Sequence, residues 1–249
     1  MPLSTKNLLS SSAYYWQFGV IPRTGLQVWV DASQGSSYSG SGSTWYDLSG
    51  NNHHMTLFNS SYSSEQSAIQ FNGTSTYAIT PNLFTPFNAV GFSFTQEVWF
   101  NSTNSSGVLI NELGTSSVNV GWHDSQLELV SNEGKGRVWN SDSTTGIILS
   151  YGANSFNNST WYYAAIRYNN STNSFSIFKN GNLVRSGNKT RSNPNPGYYS
   201  ALGSVDSTNL GSGAWFTGFM RVYRLYTSVL TDEQIAMNYN AEKTRFGYN

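Results

Sequence analysis

The stretch Phe175-Ser176-Ile177-Phe178-Lys179-Asn180-Gly181-Asn182-Leu183-Val184 is the strongest local constraint on this chain. Two apolar-rich runs flank Asn180-Gly181, a dipeptide that accepts the positive φ values of a two-residue hairpin turn. That turn predicts Phe178 opposite Leu183 on one face and Ile177 opposite Val184 on the other. Both faces are then apolar near the turn. One enters a core. The other needs a cover: a loop, the chain's own first residues or a partner.

The same pattern recurs elsewhere. Leu26, Val28 and Val30 alternate with Gln27, Trp29 and Asp31, and the run from Phe92 to Phe100 alternates in its first half. Trp161-Tyr162-Tyr163-Ala164-Ala165-Ile166 has the length of a buried strand. Polar clusters of Ser, Asn and Gly separate these runs, and loops are predicted at 33–44, 101–107 and 131–146. One short helix is predicted over 232–241. Thr231 is its N-cap, Gln234 completes a capping box, and Leu230 and Ile235 form a hydrophobic staple. Asp232 and Glu233 occupy the first turn, where the helix dipole favours negative charge. Ile235 and Tyr239, four apart, share a face.

Composition narrows the function. Lys+Arg 13 balance Asp+Glu 13, and charged residues are 10% of the chain, against roughly 25% in ordinary soluble domains. A neutral chain lacks the cations that nucleic-acid affinity requires, so no nucleic-acid partner is expected. No apolar run approaches the roughly 20 residues of a membrane-spanning helix. Aromatic residues reach 15%, enough apolar area to offset chain entropy in a folded core. Cysteine is absent, which removes disulfides, thiolate chemistry and Cys-ligated zinc.

The organisation predicted is an arm over 1–24 and one domain over 25–249. The arm is polar, then aromatic at Tyr14, Tyr15, Trp16 and Phe18. Those four residues are expected to pack on their own domain or to dock on a neighbouring subunit. Ser10, Ser11 and Ser12 interrupt the apolar start, so no secretory signal is expected in this stretch.

Catalytic patterns are missing. Glycoside hydrolysis needs two carboxylates at a set separation, and Glu97 has no acidic partner nearby in sequence. No Gly-x-Ser-x-Gly elbow occurs. His53-His54 and His123 lack zinc spacing, and His53-His54 is expected at a solvated turn.

The order of the blocks then resembles a known family. Gly25–Ser33, Trp45-Tyr46-Asp47-Leu48-Ser49-Gly50-Asn51-Asn52, Ile69–Tyr77 with Phe71-Asn72-Gly73, Phe92-Ser93-Phe94, the Trp161 strand, Phe178-Lys179-Asn180-Gly181 and Gly218–Ile235 follow one another as in concanavalin A-like, laminin-G-type jelly rolls. The resemblance covers roughly residues 25–245 and implies an all-β fold of two antiparallel sheets with one short C-terminal helix. Members of that family include lectins, carbohydrate-binding modules, glycoside hydrolases and structural proteins of phages and large viruses. Fold alone does not choose among them. Where related sequences carry calcium-binding acids, this chain has Asn72, Thr74, Ser75 and Thr76. Calcium prefers anionic or carbonyl oxygens, so a structural calcium ion has weak support and no cofactor is expected. Asp47 is expected to hydrogen-bond the turn at Ser49-Gly50-Asn51.

Binding remains. Trp122, His123, Asp124 and Trp139 combine aromatic faces with hydrogen-bonding groups beside loops, and they are the candidate ligand-binding residues. The leading expectation is a non-enzymatic virion structural protein: a capsid decoration, minor capsid or appendage subunit with glycan-binding loops. Its partners would be other virion proteins, copies of itself and host-surface glycans. The alternative is an extracellular carbohydrate-binding module, secreted or held at a cell surface.

Overall fold

The computed structural model describes residues 21–87, 92–118, 120, 123–138, 147–191, 197–204 and 215–249. The arm residues Tyr14, Tyr15, Trp16 and Phe18, and the candidate residues Trp122 and Trp139, lie outside these.

Two antiparallel sheets face each other. The first runs β14 (Asn182–Asn188), β13 (Ser174–Lys179), β12 (Trp161–Asn169), β7 (Phe94–Ser102), β16 (Thr217–Tyr226), β5 (Ala68–Asn72) and β4 (Ser61–Ser63), with β1 (Leu26–Asp31) also paired to β16. The second runs β11 (Ile147–Ser150), β10 (Glu133–Val138), β9 (His123–Val130), β8 (Gly107–Leu113), β15 (Tyr199–Leu202), β6 (Tyr77–Ile79), β3 (Met55–Phe58) and β2 (Thr44–Trp45). Helix α1 (Phe84–Phe87) is a single turn, and α2 (Asp232–Glu242) leads into a 3₁₀ turn at Lys243–Phe246.

Alternation explains the layering. Val28, Val30, Phe94, Val98, Phe100, Ile166 and Ile177 of the first sheet meet Ile110, Leu127, Leu129 and Leu202 of the second in one buried core. Trp99, Tyr163, Ala165, Phe178, Val222 and Tyr226 belong to a separate buried cluster with Ile235 and Phe246. The C-terminal segment therefore covers the outer face of the first sheet. Trp99 stacks on Phe246 with ring centroids 3.8 Å apart.

The predicted hairpin forms, with Phe178 opposite Leu183, but a register shift between Ile177 and Phe178 sets Ile177 opposite Arg185 instead of Val184. Such an irregularity adds a residue to one strand and bends it. The predicted helix also forms: Gln234 N donates to Thr231 Oγ1 at 3.2 Å and Thr231 N to Gln234 Oε1 at 2.9 Å. The predicted loop at 131–146 is overturned by β10. Glu133-Gly134-Lys135-Gly136-Arg137-Val138 reads as a loop because glycine weakens isolated strands. Here the glycines admit neighbours: a Cβ on Gly134 would lie 2.3 Å from Phe156 Cε2, and one on Gly136 2.7 Å from Ile177 Cγ2.

The free edge of β1 is covered. Asp47 accepts from Trp29 N at 2.8 Å, Ser49 N at 2.8 Å, Ser49 Oγ at 2.6 Å and His53 N at 3.1 Å. Asp47 therefore braces its turn as expected. The two histidines are not merely solvated: His54 Nδ1 accepts from Asp47 N at 3.1 Å, and His53 Nδ1 sits 2.9 Å from Gln27 O.

Candidate functional site

The two outer faces of the sandwich differ in what they offer a ligand. Under α2, the outer face of the first sheet holds a buried charge cluster. Arg224 pairs with Glu97 at 3.3 Å and with Glu242, whose Oε2 also accepts from Trp99 Nε1 at 2.8 Å. Asn238 Nδ2 donates to Glu97 Oε1 at 2.7 Å. Burial pushes the Glu97 carboxyl above its ordinary range, against Arg224 and Asn238, which favour its charged form. Burial alone would lower Arg224, but Glu242, Tyr226 and Glu97 around it hold it charged. Glu97 therefore ties sheet to helix and has no open side toward a substrate.

A second acid pair was not legible in sequence. Glu112 of β8 and Asp124 of β9 are direct cross-strand neighbours. Both are buried. Glu112 is ion-paired with Arg191 and Asp124 with Arg137. Burial lowers Arg191 to about 10, so it remains charged at neutral pH, and its guanidinium lies 4.1 Å from the Phe92 ring centroid. The candidate residue Asp124 is thus closed off from solvent and held by a guanidinium. His123 opens β9 opposite Leu113. The spacing of Glu112 and Asp124 follows from strand register, which no local motif records.

The outer face of the second sheet is different. Strand register sets Thr56, Ile79, Ala201, Asn111 and Ser125 in one row across β3, β6, β15, β8 and β9. Ile79, Ala201, Asn111 and Ser125 of this row are buried. Beside the row, aromatic rings reach solvent. Phe58 and Tyr77 are cross-strand partners, stacked with centroids 4.3 Å apart and planes at 8°. Trp215 stands 6.0 Å from Tyr77. Phe58 is 36% exposed, and Tyr77, Trp215 and Tyr199 are half-buried. Partial burial pushes the Tyr77 phenol above its ordinary value, so its hydroxyl stays a neutral donor and acceptor at physiological pH.

A short loop fixes Tyr77. Asn72 Oδ1 accepts from Thr74 N at 2.9 Å, Ser75 N at 2.9 Å and Thr76 N at 3.1 Å. Thr76 Oγ1 donates to Asn59 O at 2.7 Å, joining this loop to the end of β3 beside Phe58. The N–H groups converge on the Asn72 oxygen, which is the wrong polarity for a cation. Among the described residues no cluster of His, Asp and Glu is placed to hold a metal ion, and no helix is long and apolar enough to cross a membrane. A shallow cleft at the start of α2 is lined by Arg167, but that guanidinium already donates to Leu230 O at 2.8 Å and Asp232 Oδ1 at 2.7 Å.

Two facing antiparallel sheets, one outer face covered by the C-terminal segment and the other carrying half-exposed rings, define a two-sheet β-sandwich. The chain belongs to the concanavalin A-like lectin/glucanases superfamily, whose profile matches residues 71–236. No curated protein sequence matches it. Among solved structures it is similar to a protein described as a receptor binding domain, with a TM-score of 0.64 and 18% identity over 90% of this chain and 52% of that one. It is also similar to a botulinum neurotoxin type C structure described by its interaction with two ganglioside molecules, with a TM-score of 0.61 and 15% identity over 87% of this chain and 51% of that one. A third is the binding domain of botulinum neurotoxin DC in complex with rat synaptotagmin II, with a TM-score of 0.58 and 16% identity over 87% and 51%. The chain spans about half the length of these structures, and at such identities the likeness is one of fold.

Proposed function

We propose that this domain is a non-catalytic recognition module that takes a carbohydrate on the outer face of the second sheet. One observation carries the reading: the half-exposed group Phe58, Tyr77 and Trp215, held by cross-strand pairing and by the Asn72 loop. A sugar ring has an apolar C–H face that packs on aromatic faces, while nearby amides and hydroxyls fix its orientation. Asn59 and Ser75 supply such groups at one end. The non-catalytic part of the reading is supported by Glu97, Glu112 and Asp124, each of which is tied to an arginine. Two-carboxylate hydrolysis needs acids that reach the glycosidic oxygen. Trp122, His123 and Trp139 remain candidate ligand-binding residues on the sequence alone. The gangliosides named for the botulinum type C structure make glycan ligands a reasonable first panel.

The test is a glycan array probed with the full chain and with Phe58→Ala and Trp215→Ala. Binding by the parent, reduced at least ~10-fold in both variants at unchanged melting temperature, supports the site; that loss equals about 1.4 kcal/mol. A parent that is flat across the array sinks it.

A virion setting is the second reading, as a capsid decoration, minor capsid or appendage subunit that shows this face to host glycans. The observation that favours it is the outer edge of β14, with which no strand among the described residues pairs, a surface suited to assembly. Buried arginines and acids also leave a weakly charged exterior. Banding of the chain with particles at fixed stoichiometry on a density gradient would support this setting. Recovery only as a small free species would favour the extracellular lectin.

A further inference from the structure

The edges of the two sheets are managed unequally. The edge strands β2, β4 and β11 have two, three and four residues, and the edge of β1 is covered by the Asp47 turn. Strand β14 has seven residues, and all but Gly187 are exposed. Leu183 is 46% and Val184 39% exposed on this strand. Ile148 of β11 and Met237 of α2, both exposed, stand on elements that touch β14. Among the described residues no strand pairs with the outer edge of β14, and a seven-residue edge that exposes Leu183 and Val184 beside Arg185 is a template for a further strand.

Residues 14–20 have the matching pattern. Trp16, Phe18 and Val20 alternate with Tyr15, Gln17 and Gly19, the period of a strand whose more apolar face carries Trp16 and Phe18, with a tyrosine on each face (Tyr14 and Tyr15). The seven residues equal the length of β14. They carry no charge that would oppose Arg185 at the centre of the edge.

Reach decides which copy supplies the strand. Register sets Leu26, Tyr226, Thr95, Arg167, Ser176 and Ser186 in one row across the first sheet. A strand added beyond β14 lies six strand spacings from β1, about 29 Å along the sheet. Arg23 is held at the far side: Leu26 N donates to its carbonyl at 3.1 Å, its guanidinium donates to Leu48 O at 3.3 Å, and it lies 4.9 Å from the Trp29 ring centroid. Val20 is three residues before Arg23, a span of at most about 11 Å. The segment cannot lie along the β14 of its own copy.

We infer that residues 14–20 of one copy add as a strand to the β14 edge of a second copy. The ring-bearing face of the added strand then covers Leu183 and Met237. The C-terminal helix already covers Phe178; the added strand extends that cover to the exposed Leu183 of the same hairpin, and the inference does not depend on the glycan reading.

Light scattering on a sizing column tests this with the full chain. The parent should elute at a multiple of 27.5 kDa. Trp16→Asp/Phe18→Asp, and separately Leu183→Lys/Val184→Lys, should each elute at 27.5 kDa with melting temperature unchanged. Mixing the two double variants should restore a 1:1 complex, because one retains an intact edge and the other an intact segment. A monomeric parent, association that survives either double variant, or variants that fail to complement would each overturn the inference. Loss in the edge variant alone would indicate edge-to-edge pairing instead.

Discussion

The outer face of the first sheet and the outer face of the second are built from the same strand chemistry, yet they end differently. On the first, Trp99, Tyr163 and Phe178 are covered by α2 and the 3₁₀ turn, and the charges of Glu97, Arg224 and Glu242 are enclosed with them. On the second, Phe58 and Tyr77 remain in contact with solvent. The difference lies in what the chain adds after its last strand. A capped helix that brings Glu242 and Asn238 to the sheet turns one face into core. The other face keeps half-exposed aromatic area. On the proposed reading, stability and recognition fall on opposite sides of one sandwich, and mutations on the two sides should report different quantities.

The largest effect is expected from Arg224→Ala. It leaves Glu97 and Glu242 buried without their shared cation, and removing one partner of a buried pair costs about 3–5 kcal/mol. Urea unfolding should show this as a lower midpoint. A loss below about 1 kcal/mol would mean that the helix does not seal the charges as described.

The helix cap is the next lever on the sealed face. Thr231→Ala removes the Oγ1 acceptor of the Gln234 N–H and should cost about 1 kcal/mol. Glycan binding should be unchanged at temperatures where the fold is intact. A matched loss of binding would couple the two faces and end the separation argued above.

Asp31 gives a pH-dependent test of the same side. Burial alone would raise its pKa, but Arg245 at 2.8 Å and hydrogen bonds from Ser33 and Gln34 outweigh burial and hold it below its ordinary 3.8. A lowered folded-state pKa contributes stability above the unfolded value and loses it as pH falls through the folded value. Asp31→Asn should therefore lower stability at neutral pH and flatten its dependence below about pH 4. Parallel acid limbs in parent and variant would show that Arg245 contributes nothing at Asp31.

Much of the sealed face was legible in the sequence. The Thr231 cap, the Asp232 and Glu233 first turn and Ile235 place α2, and the Asn180-Gly181 turn places the hairpin beneath it. The charge cluster was not legible. Arg224, Glu97 and Glu242 meet only because β16, β7 and α2 converge, across separations that no local pattern spans. Strand β10 was hidden for a related reason. Its glycines read as loop chemistry, whereas close packing against Phe156 and Ile177 makes them necessary. For a binding site, the sequence pointed to Trp122 and Trp139, which lie outside the described residues, and passed over Phe58 and Tyr77. Their runs, Met55-Thr56-Leu57-Phe58 and Tyr77-Ala78-Ile79, are too short to show which face each ring takes. Cross-strand register makes them neighbours.

The smallest stability effect, and the sharpest contrast, is expected from Phe58→Ala. Its ring is partly exposed and stacks on Tyr77 alone among the aromatic contacts described. Surface substitutions of this kind usually change stability by no more than about 0.5 kcal/mol. The same ring is one of the three in the platform proposed to meet the sugar, so its removal should weaken glycan binding at least ~10-fold, or about 1.4 kcal/mol. Unfolding and binding measured on one preparation give both numbers. A variant that binds normally but unfolds early would assign Phe58 to packing and move the recognition site elsewhere on the sandwich. A variant that unfolds normally and fails to bind would leave the two outer faces with the separate roles argued here: one closed by the chain's own helix, the other open to a ligand.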